Sequence, residues 1–184
     1  MIHSVNNKPK PPKTMLEVFD PNHVFVTSDC HFGSWREPRP TVVFTEDEES
    51  RIIDAWNSIV QQSDLVICNG DFYDGKTAIG FMEYASKLNG KMALILGNHD
   101  TLPLELYKAA FDFVGDELAL DNHKVIFHHI PNESQVPLGF LEIFGHLHRG
   151  WLKPMPDHKS FCSCIQYSKD FKPYRLSEIL DNKL

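Results

Sequence analysis

The sequence MALILGNHD at residues 92–100 decides how the rest of the chain is interpreted. Its first five residues are apolar and predict a strand at 92–96. A glycine, an asparagine, a histidine and an aspartate follow at once, and side chains of these polar types can bind a metal ion or transfer a proton. The stretch therefore predicts a strand that carries reactive side chains to one edge of a sheet.

Four other apolar runs end in the same way. They are VFVTS before Asp29-Cys30-His31, LVIC before Asn69-Gly70-Asp71, KVIF before His128-His129, and LEIF before Gly145-His146-Leu147-His148. Strand ends at one edge of an α/β sheet border a common crevice, so the five clusters can converge in space. One such cluster is weak evidence for a site, but five in succession indicate a metal centre.

The spacing within two of these clusters suits metal binding. Residues i and i+2 of a strand point to the same side, so Asp29 and His31 are expected to reach one ion. By the same rule, His146 and His148 can reach one ion or two neighbouring ions.

The remaining pattern predicts a single layered α/β domain. Thr45 and the acidic run at 46–49 form a capping box, so we interpret the run as the first turn of a helix and not as a ligand cluster. The order βαβαβα followed mostly by strands predicts a mixed sheet or two stacked sheets. Residues 1–13 are interpreted as a flexible arm and 14–184 as one domain. We predict strands at about 23–28, 65–68, 92–96, 118–121, 124–128, 141–144 and 161–167, and helices from 46, at 77–88, from Pro103 and from Ser177.

The composition is that of an ordinary globular protein. The 184 residues are 42% hydrophobic and 23% charged, which excludes disorder and coiled coil as descriptions of the whole chain. The formal net charge of −7 argues against a broad electrostatic grip on nucleic acid. No apolar run approaches the roughly 20 residues of a membrane span, and residues 1–13 lack the apolar core of a secretion signal. We therefore expect a cytoplasmic protein, or one in the host cytoplasm if its source is viral.

The five clusters together resemble the signature of the calcineurin-like metallophosphoesterases. The motifs Asp29-x-His31, Gly70-Asp71, GNHD at 97–100, a histidine near 129 and Gly145-His146-x-His148 occur in the family's order. The segment KDFKPYRLSEIL at 169–180 is similar to the family's closing strand and helix, so the resemblance covers about residues 24–181. It implies an α/β fold, a four-layer αββα sandwich of two mixed β-sheets flanked by helices, around two divalent metal ions.

The resemblance also implies which side chains hold the ions. His129 is preferred to His128 because it stands two residues before Pro131, as in small family members, and His128 is then expected on the opposite face of its strand. A nitrogen-rich ligand set favours manganese, iron, zinc or nickel over magnesium or calcium, and manganese is the first expectation. The implied ligands are Asp29, His31, Asp71 and His148 for the first ion, and Asp71, Asn98, His129 and His146 for the second.

The implied reaction is metal-dependent hydrolysis of a phosphate ester, foremost a phosphodiester. Two ions about 3.5–4 Å apart would clamp the phosphoryl group and lower the pKa of a shared water, whose hydroxide attacks phosphorus. His99 would protonate or steady the leaving oxygen, and Asp100 would orient its imidazole. Asp74 is either a supporting residue behind the ligands or a turn aspartate before Gly75.

Substrate contacts are expected on the loops between the clusters. The candidates are Arg36, Phe72, Tyr73 and Arg149, although the aromatic residues can instead anchor their loop in the core. Ser34 stands where many relatives have a histidine, which removes a possible substrate contact. The expected partner is a small phosphate ester or a nucleotide, without a membrane or a strong grip on nucleic acid.

Two alternative functions remain open at this stage. The same centre could serve a nuclease on single strands or a nucleotide phosphohydrolase, although the net charge of −7 disfavours a nuclease. The fold could also serve as a non-catalytic metal-binding scaffold. Such scaffolds usually lose a ligand or the histidine of GNHD, and this sequence keeps all of them, so a hydrolase is the preferred interpretation.

Overall fold

The computed structural model describes residues 20–36, 44–148 and 160–181, so the predicted arm at 1–13 lies outside the described residues. Within these ranges, no helix is long and apolar enough to cross a membrane. The described strands are β1 Val24–Thr27, β2 Leu65–Cys68, β3 Lys91–Ile95, β4 Phe113–Gly115, β5 Glu117–Leu120, β6 Val125–His128, β7 Leu141–Phe144, β8 Ser160–Cys162 and β9 Tyr174–Arg175. The described α-helices are α1 Glu46–Ile59, α2 Ala78–Ser86, α3 Leu104–Ala110 and α4 Leu176–Leu180.

The strands form two mixed sheets. In the first sheet the order is β4-β3-β2-β1-β9, with β1 to β4 parallel and β9 antiparallel to β1. In the second sheet the order is β5-β6-β7-β8, with β5 antiparallel to β6 and the other pairs parallel. The expected α/β fold with two mixed sheets is therefore confirmed.

The central strands of the first sheet are buried on both faces. Alternate residues of a strand point to opposite faces, so Phe25 and Val66 pack with helices α1 to α3, while Val26 and Ile67 pack against the second sheet. Helix α4 adds Leu176 to the cluster between the sheets. Layers on both sides of the sheet hold the strand ends in place, and with them the loops that carry the candidate ligands.

Helix α1 begins as predicted. Thr45 Oγ1 accepts the backbone N–H of Glu48, and the Glu48 carboxylate accepts the N–H of Thr45, which completes the capping box. The acidic residues at 46–49 therefore belong to the first turn of a helix, as expected. Ile52 and Trp56 are fully buried and dock this helix on the first sheet.

The chain near residue 164 departs from the prediction. The sequence pattern predicts one strand at 161–167, but β8 ends at Cys162 and a short 3-10 helix follows at Ile165–Tyr167. Between them Cys164 forms a single bridge with Ser28, so the chain crosses from the second sheet to the end of β1. Strand β4 is also absent from the prediction, because three residues are too few to show an alternating pattern.

Candidate metal centre

The loops that follow β1, β2, β6 and β7 are tied to one another by hydrogen bonds. The backbone N–H of Asp29 donates to Gly70 O at 2.9 Å, which joins the loops after β1 and β2. The side chain of Asn69 donates to Ile143 O at 2.7 Å, and the N–H of His146 donates to the Asp29 carboxylate at 3.0 Å. These bonds connect the two sheets at the edge where the candidate ligands lie.

Four candidate ligands have a left-handed backbone conformation. The φ angles are 57° at Asp29, 44° at His31, 55° at Asp71 and 65° at His146. This conformation costs roughly 1–2 kcal/mol for a residue with a Cβ atom, and such residues concentrate at functional sites. Since β1 ends at Thr27, Asp29 and His31 converge through a strained turn and not through strand alternation, so the sequence-based explanation of their spacing was wrong.

The first group of donor atoms comprises Asp29, His31, Asp71 and His148. His31 Nε2 lies 3.3 Å from His148 Nε2 and 3.7 Å from Asp71 Oδ2. Asp29 Oδ1 lies 3.7 Å from His148 Nε2 and 4.0 Å from His31 Nε2. Ligands that sit about 2.0–2.2 Å from one ion are separated from each other by such distances.

The second group comprises Asp71, Asn98, His129 and His146. Asn98 Oδ1 lies 2.9 Å from His146 Nδ1 and 3.0 Å from His129 Nε2. His129 Nε2 lies 3.2 Å from Asp71 Oδ2. His128 lies elsewhere, with its Nδ1 2.9 Å from the Glu142 carboxylate. The structure therefore places His129, and not His128, among the candidate ligands, and it places His146 and His148 in different groups.

Asp71 belongs to both groups through one oxygen. Its Oδ1 accepts the backbone N–H of His99 at 2.8 Å, while its Oδ2 faces the Nε2 atoms of His31 and His129. Burial would raise the pKa of this carboxyl, but the hydrogen bond and the charge of His129 outweigh burial, so the pKa is lowered. Asp71 is therefore an ionised carboxylate with one oxygen directed at both groups.

Two of the imidazoles are oriented by acceptors behind them. His129 Nδ1 lies 3.0 Å from Asn69 O, and His148 Nδ1 lies 2.9 Å from Gln166 Oε1. Because a carbonyl oxygen only accepts, each Nδ1 carries the proton and each Nε2 presents its lone pair to the ligand group. Sequence analysis missed both acceptors, since one is a backbone atom and the other lies in a segment predicted to be a strand.

The donor set fits a metal site made of two ligand groups that share Asp71. The ligand atoms of Asp29, His31 and Asp71 lie within 4.8 Å of one another, and so do those of Asp71, His129 and His146. In the part of the chain that the structure describes, no lysine or arginine forms an ion pair with Asp29 or Asp71. Buried carboxylates need a compensating cation, and imidazole nitrogens with oxygen ligands suit manganese, iron, zinc or nickel.

Comparison with known proteins places this arrangement in a family. A profile of the calcineurin-like phosphoesterases matches residues 23–177, a range that contains every candidate ligand. The chain belongs to the calcineurin-like phosphoesterase family.

Two relatives are similar to this phosphoesterase-family chain. It is 29% identical over 119 residues to the Gene 66 protein of Mycobacterium phage L5, an alignment that covers 62% of this chain and 54% of that protein. The chain thus spans about half the length of this curated relative. It is also similar in structure to AQ665 from Aquifex aeolicus, a protein of unknown function, with a TM-score of 0.67 and 20% identity over 88% of this chain and 98% of that chain. At this identity, the second similarity shows a common fold alone.

In this member of the family, the histidine that follows the candidate ligand Asn98 is oriented by Asp74. His99 Nδ1 lies 2.9 Å from Asp74 Oδ1, and Asp74 Oδ2 lies 3.3 Å from His31 Nδ1. Burial would raise the pKa of Asp74, but its contacts with His31 and His99 outweigh burial and lower the pKa to about 2. Sequence analysis assigned this orienting role to Asp100, and the structure contradicts that assignment. Asp100 is next to His99 in the sequence, but its carboxylate accepts backbone N–H groups instead.

Asp100 instead holds the backbone of two ligand loops. Its Oδ2 accepts the N–H groups of Gly97 at 2.8 Å and Asp71 at 2.9 Å, and its Oδ1 accepts the N–H of Phe72 at 3.1 Å. Burial, together with the charge of Asp71, raises the pKa of Asp100 to about 6 in spite of these hydrogen bonds. Its contacts thus fix the loop after β2 against the loop after β3.

Two of the four predicted substrate contacts are core residues. Phe72 is 0% exposed and Tyr73 is 4% exposed, and Phe72 packs edge-to-face with three other phenylalanines. Both therefore anchor their loop, the alternative that the sequence left open, and neither side chain faces a substrate. Arg36 ends a short 3-10 helix, and Arg149 lies outside the described residues. Ser34, which replaces the histidine of many relatives, is fully buried.

The loop after the first ligand cluster is held by Glu49, a buried carboxylate of α1. Glu49 accepts hydrogen bonds from Gly33 N–H at 2.8 Å, Trp35 Nε1–H at 3.0 Å and Tyr84 O–H at 2.6 Å. Its position in the acidic first turn gave no indication of this role, because its neighbours in the run are exposed or half-buried.

Glu49→Gln should lower the free energy of unfolding by about 1–3 kcal/mol, because the amide replaces one acceptor oxygen by a donor and leaves buried N–H or O–H groups unpaired. Urea denaturation of the metal-free protein measures the change. Asp54→Asn, at an exposed position of the same helix, is the matched control and should change stability by less than about 0.5 kcal/mol. Equal denaturation midpoints for both variants would contradict the assigned role of Glu49.

Gly70 packs against the ring of the candidate ligand His129. Its φ is 92°, and a Cβ atom at this position would lie 2.2 Å from His129 Nδ1. Gly70→Ala should therefore displace the imidazole and lower the affinity for manganese by about 10–100-fold, as measured by calorimetric titration. Gly139 has a similar φ of 82° with no described atom within 4 Å of the added Cβ, so Gly139→Ala should keep the affinity. Equal losses of manganese affinity in both variants would show that backbone strain, and not contact with the His129 ring, lowers the affinity.

Proposed function

We propose that this chain hydrolyses a phosphodiester in a reaction that requires two divalent transition-metal ions, with manganese first among the candidates. The observation that carries the proposal is Asp71 Oδ2, which faces His31 Nε2 at 3.7 Å and His129 Nε2 at 3.2 Å. A carboxylate oxygen shared by two imidazole-containing groups is suited to hold two ions close together. Membership of the family supports a phosphate ester as the substrate class.

The residues of the two groups would hold the ions in fixed positions. Bound there, the ions would lower the pKa of a water molecule and offset the charge of the phosphoryl oxygens. Asp29, His31 and Asp71 are at most 1% exposed, so their ligand atoms are preorganised and need no reorganisation when the substrate binds. His146 and His148 are partly exposed, and their side of the site is accessible to a substrate.

His99 would supply the proton to the leaving oxygen. Its side chain is 39% exposed, while the side chain of Asp74 is 2% exposed. Because the buried Asp74 carboxylate accepts from Nδ1–H, Nε2 is the atom that can exchange a proton with the substrate. Asp74 also lies against His31, so one carboxylate positions both a candidate ligand and the proposed proton donor.

The preference for a diester follows from charge. A phosphodiester carries one negative charge, whereas a monoester carries about 1.5 to 2 at neutral pH. Among the described residues, no lysine or arginine belongs to either ligand group or lines the cavity next to Asn98 and His129. The described part of the site therefore offers little positive charge beyond that of the ions, which favours the less charged ester.

Reconstitution of the purified, metal-stripped protein tests the proposal. The protein is loaded separately with manganese, iron, zinc and nickel, and bound metal is counted by mass spectrometry. We expect two ions per chain and turnover of bis-p-nitrophenyl phosphate that exceeds turnover of p-nitrophenyl phosphate. Protein kept metal-free with a chelator is the control.

Two results would count against the proposed phosphodiester hydrolysis, and a third would narrow the substrate to nucleic acid. Two bound ions without turnover of any ester would indicate a metal-binding scaffold. Faster turnover of the monoester than of the diester would contradict the preference inferred from substrate charge. Cleavage of single-stranded DNA at a higher kcat/KM than the small diester, with strong salt dependence, would favour a nuclease.

A further inference from the structure

A cavity of about 390 Å³ lies beside the second ligand group. Its size lies within the range of sites that bind small molecules. Asn98 and His129 belong both to the ligand group and to the lining of the cavity. When a phosphate ester is held at the second ligand group, the organic part attached to its phosphorus would therefore lie next to this cavity.

The wall of the cavity is fixed by a buried hydrogen-bond network. The loop that follows β6 contributes Ile130 and Asn132 to the lining, and the end of β3 is followed by Leu96, which also lines the cavity. Glu142 is fully buried, and its Oε1 accepts the backbone N–H of Asn132 at 2.8 Å and lies 2.9 Å from His128 Nδ1. The cavity is thus formed in advance and does not need to be assembled around a ligand.

The lining combines apolar and uncharged polar side chains. Leu96 and Ile130 supply apolar surface, and Ile130 is 53% exposed although it is a large aliphatic residue. Asn132 and Gln135 supply amide groups, which both donate and accept hydrogen bonds. This mixture suits an uncharged ring system that bears hydroxyl, carbonyl or amino groups.

The lining of the cavity contains two histidines, His128 and His129, and one acidic residue, Asp116. Asp116 is exposed and lines the cavity, and Glu117 Oε2 lies 3.9 Å from His128 Nε2. None of the described lining residues is a lysine or an arginine. A second phosphate in this position would meet a carboxylate and find no lysine or arginine among these residues, which costs interaction energy.

We propose that this cavity holds the uncharged organic group of the phosphodiester, with nucleosides as the chemical class, and that Asp116 discriminates against substrates that carry a second phosphate on that group. The inference rests on the proposed hydrolysis of a phosphodiester at the neighbouring ligand groups. It adds the identity of the group attached to phosphorus and the residue that selects for it.

Three chromogenic diesters with the same leaving group test the inference on the manganese-loaded protein. They are methyl p-nitrophenyl phosphate, thymidine 5′-(p-nitrophenyl phosphate), and the second compound with an added 3′-phosphate. We expect kcat/KM for the thymidine ester to exceed that for the methyl ester by roughly tenfold, chiefly through KM, since the nucleoside fills the cavity. The added 3′-phosphate should lower kcat/KM by a similar factor.

Charge reversal at Asp116 separates this proposal from a general effect of protein charge. Asp116→Lys should reduce the discrimination between the thymidine ester and its 3′-phosphorylated form by roughly tenfold. Asp121→Lys is the matched control, because Asp121 is exposed and follows the opposite end of β5, about 17 Å from Asp116 along the strand. This control should keep the discrimination of the unaltered protein.

Each outcome distinguishes this inference from the proposed function. Failure to hydrolyse any of the three esters would overturn the proposed function itself. Hydrolysis of the methyl and thymidine esters with equal kcat/KM would keep the proposed function and overturn the role of the cavity. Equal changes in Asp116→Lys and Asp121→Lys would overturn the selective role of Asp116.

Discussion

Asp71→Asn should lower phosphodiester turnover by about three orders of magnitude. The substitution preserves the size of the side chain and the oxygen that accepts the N–H of His99, but it replaces one carboxylate oxygen by an amide nitrogen, which cannot ligate two cations. Metal ions supply several kcal/mol of transition-state stabilisation, and each 1.4 kcal/mol corresponds to a factor of ten in rate. Steady-state kinetics on bis-p-nitrophenyl phosphate with saturating manganese measures the loss.

The loss should be accompanied by a change in metal content. The unaltered protein should bind two ions per chain, and Asp71→Asn should retain at most one. Asp54→Asn, on the exposed face of α1, controls for the removal of a negative charge and should keep both ions and full turnover. Turnover of Asp71→Asn within threefold of the control would remove the basis of the two-ion proposal.

His99→Ala should reduce turnover by an amount that depends on the leaving group. General acid catalysis typically contributes about 10²–10⁴-fold, and its contribution is greatest for a strongly basic leaving oxygen. We therefore expect a loss in this range for a dialkyl phosphodiester and a much smaller loss for a p-nitrophenyl ester, whose leaving group needs no proton. A loss of equal size for both esters would show that His99 acts on binding or on the ligands instead.

The two neighbouring aspartates should differ in the same assay. Asp74→Asn should reproduce the leaving-group dependence of His99→Ala in weaker form, since Asp74 holds the imidazole through Nδ1. Asp100→Asn should act mainly on stability, because Asp100 binds backbone N–H groups of Gly97 and Phe72. A stronger leaving-group dependence in Asp100→Asn than in Asp74→Asn would restore the assignment made from sequence alone.

The sequence pattern was sufficient to predict most of the described strands, while the two-sheet fold and the set of candidate ligands came from the family resemblance. Apolar runs such as 65–68 and 92–96 are short and bounded by turn residues, and the buried strands follow these limits closely. The polar residues after each run converge because the edge of a layered α/β fold brings strand ends together. Short strands such as Phe113–Gly115 could not be predicted, since their pairing is decided by long-range contacts.

The detailed geometry of the site was beyond sequence reasoning. The left-handed turns at Asp29 and Asp71 are enforced by hydrogen bonds between loops far apart in the chain, so local propensity gives no sign of them. The partner of His99 is 25 residues away in Asp74, and the adjacent Asp100 turns toward the backbone. The burial of Phe72 depends on aromatic neighbours from several elements, which a loop position in sequence does not reveal.

Asn69 links the reactive edge of the molecule to its architecture. Its carbonyl oxygen orients His129, while its side chain reaches across to Ile143 in the other sheet. A slight slippage between the two halves of the sandwich would turn the His129 imidazole away from the second ligand group. Under the proposed function, tight docking of the halves is therefore a condition for metal binding, and this design leaves little freedom to exchange rigidity for adaptability.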